Sequence, residues 1–171
     1  MSPRGRIALG VGLAAAVLAA DQASKYWILH ILNLPKLGDV PVLPPILDLA
    51  MVWNHGVTFG LLQAGNHWGQ MLLAGVAVAV VIGLFIWLRK AETLLVAGCI
   101  GAIAGGALGN VADRFRLGMV VDFIHVHWGA ADPFPFVFNI GDSAIVIGVG
   151  LLLIESLLPA RARLQAPPPK A

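Results

Sequence analysis

Asp113, Asp122 and Asp142, with Asn110, Asn139 and Arg114, fall in one stretch of an otherwise very apolar chain. The stretch begins GGALGNVADRFRLGMVVDFIHVHW at Gly105 and, after a proline-rich bend, closes with FNIGDSAIVIG. Two carboxylates held a few ångströms apart share a proton, because both cannot ionise cheaply. The ionised member then activates a water while the protonated member polarises a peptide carbonyl, and the titration belongs to the pair. Residue types leave open whether Asp113 or Asp122 partners Asp142, since both precede it at workable distances. Capping of helix ends accounts for one Asp or Asn per end. It does not account for five carboxylates and amides from two apolar flanks, and ionisable groups beside lipid mark a site or a pathway.

Other chemistries fit less well. Ser143 adjoins Asp142, but no local histidine signature supports a serine nucleophile. His125 and His127 alternate, so on a strand they share a face. A zinc site there needs further ligands at matching spacing, and no HExxH-like helix supplies them. The expectation is therefore no metal and no cofactor. Cys99, the single cysteine, sits mid-span and reads as small apolar filler.

The elements that must position these groups are membrane helices. Hydrophobic residues make up 58% of the 171, charged residues only 12%, and the mean hydropathy is +0.85. A soluble domain carries about twice that charge fraction. The basic residues form no cluster and no nucleic-acid motif is present, so the pI near 9.0 does not point to nucleic acid. Spans are predicted at about 7–28, 69–88, 93–109 and 140–158. The first resembles a signal peptide at its start but continues through DQASKYWILHIL, long enough to cross. Asp21 lies about 21 Å along it. Lys25, four residues on, shares its face, as in a simple intrahelical ion pair.

Residues 33–68 carry four prolines and read as non-helical, with a strand at Ile46–Trp53, a turn at Asn54-His55-Gly56 and a short surface helix at Phe59–Trp68. Met119–Trp128 reads as a second strand within a connection running from Val111 to Phe138. The glycines of the third span, with a GxxxG pair at Gly101 and Gly105, read as close helix packing. Residues 161–171 read as a disordered tail. Arg4, Arg6, Arg89, Lys90, Arg161, Arg163 and Lys170, seven of the eleven basic residues, fall on one side, which the positive-inside rule makes cytoplasmic. The polar groups at 21, 54, 110, 113, 122, 139 and 142 then face outward together. A transporter or channel would instead place ionisable residues through the membrane depth. The predicted second and third spans have none, and the fourth has only Glu155.

Four ordered blocks carry a family resemblance. DQASK (21–25), WNHGVTFG (53–60), GGALGNVADR with VVDF (105–114 and 120–123) and FNIGDSAI (138–145) resemble the blocks of lipoprotein signal peptidase, or signal peptidase II, an aspartyl peptidase. The resemblance implies a four-helix membrane bundle with a small extracytoplasmic β-rich cradle and a surface helix, forming one peptidase domain over residues 1–160. It implies a catalytic dyad of Asp122 and Asp142. Asn110, Arg114 and Asn139 would orient the substrate or dyad, Asp113 would support the site through Arg114, and Asp21, Lys25, Asn54 and Gly56 would line or brace the pocket. The implied substrate is a diacylglyceryl-modified prolipoprotein, cut before its lipidated cysteine at the outer face of the bacterial inner membrane. Membrane lipid and cyclic peptide inhibitors of the globomycin type are further implied partners. Gly141 stands where the family usually has Ala, Thr58 replaces a commoner small apolar residue, and Ser24 stands for Thr. Gly141 is expected to loosen its helix start by up to about 1 kcal/mol.

Overall fold

In a computed structural model of the chain, residues 1–56, 67–127 and 136–157 are described. The expected surface helix lies outside them apart from residues 67–68, as does the tail 161–171. Helix α1 runs Pro3–Tyr26 and continues as a π-helical turn, Trp27–Ile31. A helical turn α2 (Leu34–Leu37) leads into strands β1 (Val40–Leu43) and β2 (Leu47–Asn54). Helices α3 (His67–Leu88) and α4 (Leu94–Leu117) follow, then β3 (Val120–Val126), β4 (Val137–Phe138) and α5 (Ile140–Leu157). Helices α1 (with its π turn), α3, α4 and α5 are long and apolar enough to cross a membrane.

Helix α4 is the hub. More than half of its most apolar window is buried inside the fold, against 17% for each of the others, which leave their apolar sides outward. Its glycines make this possible. A Cβ on Gly101 would overlap the Gly10 carbonyl, and one on Gly105 the Ala14 carbonyl. The GxxxG pair therefore lies backbone-to-backbone on the α1 stripe of Gly10, Ala14, Asp21 and Lys25, all buried. A Cβ on Gly106 would likewise meet the Gly141 carbonyl of α5. The packing reading of the third-span glycines holds at these positions, whereas Gly98 has only a Leu13 methyl, at 3.8 Å.

The strands form one antiparallel sheet in the order β1-β2-β3-β4. It packs on the end of α1 through Ile28, Leu34, Val121 and Phe123. Pro41 lies on the edge strand β1, where a missing N–H costs the ladder least.

Three expectations are corrected. The third span does not end at Gly109: α4 continues to Leu117, stopped by Gly118 in the left-handed region at φ 73°. Asn110, Asp113 and Arg114 are thus helical, one face apart by three and four residues, rather than in a connection. The proline-rich segment does hold a helical turn, because Pro35 sits in its first turn, where no N–H bond is lost. Strands β1 and β4 were not anticipated. The strand expected at Ile46–Trp53 is β2, and that at Met119–Trp128 is β3.

Candidate active site

The polar groups gather at one end of the bundle, where α4 and α5 meet β2 and β3. Asn139 is the N-cap of α5, its carbonyl accepting from Ser143 N at 3.1 Å and its Oδ1 from Asp142 N at 2.8 Å. The cap places Asp142 in the first turn of α5. The same side chain turns its amide to β3, donating to Asp122 Oδ1 at 2.6 Å. Asn110 donates to Asp142 Oδ1 at 2.8 Å, and its own Oδ1 accepts from Asn139 Nδ2 at 3.1 Å. The carboxylates of Asp122 and Asp142 are therefore joined through two amides from different helices. Asn54, on β2, donates to the other Asp122 oxygen at 2.8 Å.

Both aspartates are at least 95% buried. Burial first, then the charge of Asp142, pushes the Asp122 carboxyl up to about 7, against the opposing pull of the Asn54 and Asn139 donors and Lys25. Such a group holds its proton to near neutrality.

A second network stands behind the first. Lys25 Nζ lies 2.7 Å from Asp21 Oδ2 and 2.8 Å from Asp113 Oδ2, and donates to Asn110 Oδ1 at 3.1 Å. The pair expected within one helix is thus a buried bridge from α1 to α4. Asp21 also accepts from Gly141 N at 2.9 Å, at the start of α5. Its carboxylate fits because Gly109 has no side chain there. Asp113 accepts from Gln22 Nε2 at 3.0 Å and from Val121 N at 3.2 Å, next to Asp122. These contacts run to Lys25, Gln22 and β3 rather than to Arg114. Gln22 is a bracing residue that the sequence reading passed over. Its place beside Asp21 in DQASK was the available signal.

Arg114 instead donates to the carbonyls of Gly56, at 2.7 Å, and Asn110, at 3.3 Å. It anchors the Asn54–Gly56 turn, itself closed by Gly56 N donating to Asn54 Oδ1 at 2.8 Å. Gly141 has a positive reason to be glycine: a Cβ there would stand 2.9 Å from the Gly106 carbonyl, inside normal contact. Thr58 lies outside the described residues.

The family described as Signal peptidase (SPase) II matches residues 13–158. This chain belongs to the signal peptidase II family. The lipoprotein signal peptidase of Caulobacter vibrioides is 46% identical over 157 residues, 91% of this chain and 90% of that one. That of Methylorubrum extorquens is 46% identical over 146 residues, covering 85% and 83% respectively. A bacterial membrane enzyme solved by the in meso method at 2.3 Å resolution superposes with a TM-score of 0.77 at 27% identity, over 92% of this chain and 93% of that one. The family's proteolysis accords with two linked, buried carboxylates.

Proposed function

We propose that this chain is the membrane aspartic endopeptidase that removes signal peptides from diacylglyceryl-modified prolipoproteins, cutting before the lipidated cysteine. The carrying observation is the joining of Asp122 and Asp142 through Asn110 and Asn139. Asp142, ionised, takes a proton from a water whose oxygen attacks the scissile carbonyl carbon. Asp122 gives its proton to the carbonyl oxygen, forming a tetrahedral diol. The diol collapses to a carboxylic acid as the C–N bond breaks, and the amine of the lipidated cysteine leaves with a proton from the dyad. The raised Asp122 titration supports its role as proton carrier. Asn54, Asn110 and Asn139 orient the pair, Arg114 and Gly56 hold the β2 turn against it, and Asp21, Lys25 and Asp113 brace it from behind. The deciding experiment is cleavage of a lipidated precursor by the purified chain in detergent. No shift of the precursor band, with a folded enzyme, would sink this reading.

The chain acts as one membrane domain to about residue 160, in the bacterial inner membrane, with the sheet as an extracytoplasmic cradle. Its arrangement supports this: Arg6 donates to the Ala91 carbonyl at 2.8 Å and Thr93 to Glu155 at 3.3 Å, so the basic end of the bundle is opposite the aspartates. Reporter fusions at residues 2 and 90 are expected to report cytoplasm and one at residue 39 the outside. The reverse pattern would invert the topology. Lipid would contact the apolar outer faces, and globomycin-type peptides would compete for the dyad.

The pH dependence has a definite sign. Loss of the Asp122 proton removes the acid, so kcat/KM is expected to fall as pH rises through about 7. Asn54 stabilises the ionised form, so Asn54→Ala shifts this alkaline limb to higher pH. A pH–rate profile in which the limb stays put or moves down would separate Asn54 from the titrating group.

A further inference from the structure

The alternation along β3 sends Asp122 to one face and His125, with His127 just beyond, to the other. On that second face the strand register sets Asp48 of β2 directly opposite His125. His127 Nε2 lies 2.8 Å from Asp48 Oδ2, and the two imidazoles stack at 5.0 Å with only 20° between their planes. One ligand atom from each of the three residues lies within 4.8 Å of the others, and all three side chains are half-buried. The sequence spacing offered two histidines and lacked a further ligand. The sheet supplies it from a distant strand.

We propose that Asp48, His125 and His127 form a binding site for a divalent transition-metal ion of the zinc class, clipping β2 to β3 on the face away from the aspartate pair. Two imidazoles and one carboxylate with an open position are a donor set zinc takes, at about 2.0–2.2 Å per bond. Ligand atoms of a tetrahedral ion stand about 3.4 Å apart, so small side-chain rotations close the present spacing. Imidazole donors select against magnesium and calcium, which take oxygen. The clip would span the β2–β3 ladder that carries Asn54 and Asp122 toward the bundle. Cross-linking those strands stabilises the folded chain by mass action.

The test uses the full chain, untagged, in detergent and stripped of metal. Calorimetric titration with Zn²⁺ is expected to give one equivalent with a Kd tighter than about 10 µM, not displaced by excess Mg²⁺. Melting is expected to rise by roughly 5 °C at saturation. Asp48→Asn, His125→Ala and His127→Ala should each weaken binding roughly 100-fold or more. Asp122→Asn, and a variant lacking His30, His55 and His67, should keep it. Co²⁺ loading of the unsubstituted chain should give intense visible bands of a nitrogen-bearing tetrahedral site, a readout independent of whether any variant folds. Absence of binding, displacement by Mg²⁺, or binding that survives His125→Ala or disappears with Asp122→Asn would overturn the site.

Discussion

Asp122→Asn and Asp142→Asn are each expected to lower turnover of a lipidated precursor by at least roughly 10³-fold, and the double substitution is expected to lower it no further. In the proposed mechanism each carboxylate needs the other: one supplies the proton, the other accepts one, and asparagine does neither. The amides that join them should hold an asparagine in place, since Asn139 and Asn54 present donors to Asp122 and an asparagine oxygen satisfies one of them. Melting temperatures should therefore stay close to the parent's, and substrate should still bind. Asp113→Asn is expected to behave otherwise, losing stability through Lys25 while leaving measurable cleavage. A gel-shift assay with all four variants, beside thermal unfolding, decides the matter. Full activity in Asp122→Asn, or a dead but stable Asp113→Asn, would move the catalytic role to Asp113.

The second large effect is on stability. Lys25→Met leaves Asp21 and Asp113 buried at 0% and 2% exposure with no cation between them. Removing one partner of a buried ion network costs about 3–5 kcal/mol, much of it the uncompensated charge left behind. Neutralising the two acids as well, in Asp21→Asn/Lys25→Met/Asp113→Asn, should recover a large part of that loss. Thermal unfolding in detergent measures both. A Lys25→Met chain as stable as the parent would mean that the buried charges are hydrated or protonated, and that the bridge contributes little.

Much of this was legible in the sequence because the physics was local. Long apolar runs with few charges gave the spans, and the Asn54–Gly56 turn followed from its residue types. The end of α4 was misplaced for a reason visible in its residues. Asn110, Asp113 and Arg114 lower the hydropathy of the last turns, yet their spacing of three and four keeps them on one inward helical face. Polarity there meant a buried network, not a helix end. Strands β1 and β4 are short, β1 carries Pro41, and the pairing of β4 with β3, like the opposition of Asp48 and His125, joins segments that are separated in the chain. The choice between Asp113 and Asp122 rested on family resemblance. The geometry adds a physical difference: Asp113 is tied to a lysine and a backbone amide, whereas Asp122 is held by two neutral amides.

The Asp21 carboxylate, seated against Gly109 and the Gly141 amide in the first turn of α5, bears on the order of membrane insertion. Helix α1 leaves the ribosome first, and α4 and α5 follow only after α3. Through that interval Asp21 has neither Gly141 N nor the α4 groove to receive it. In the folded chain Lys25, one turn away on the same helix, lies 2.7 Å from it, and this pairing needs no partner from another helix, so the two can travel as a dipole rather than as a bare charge. A latch between the first and last helices can thus be carried through the bilayer in closed form, and opened to its final partners only when the last span arrives.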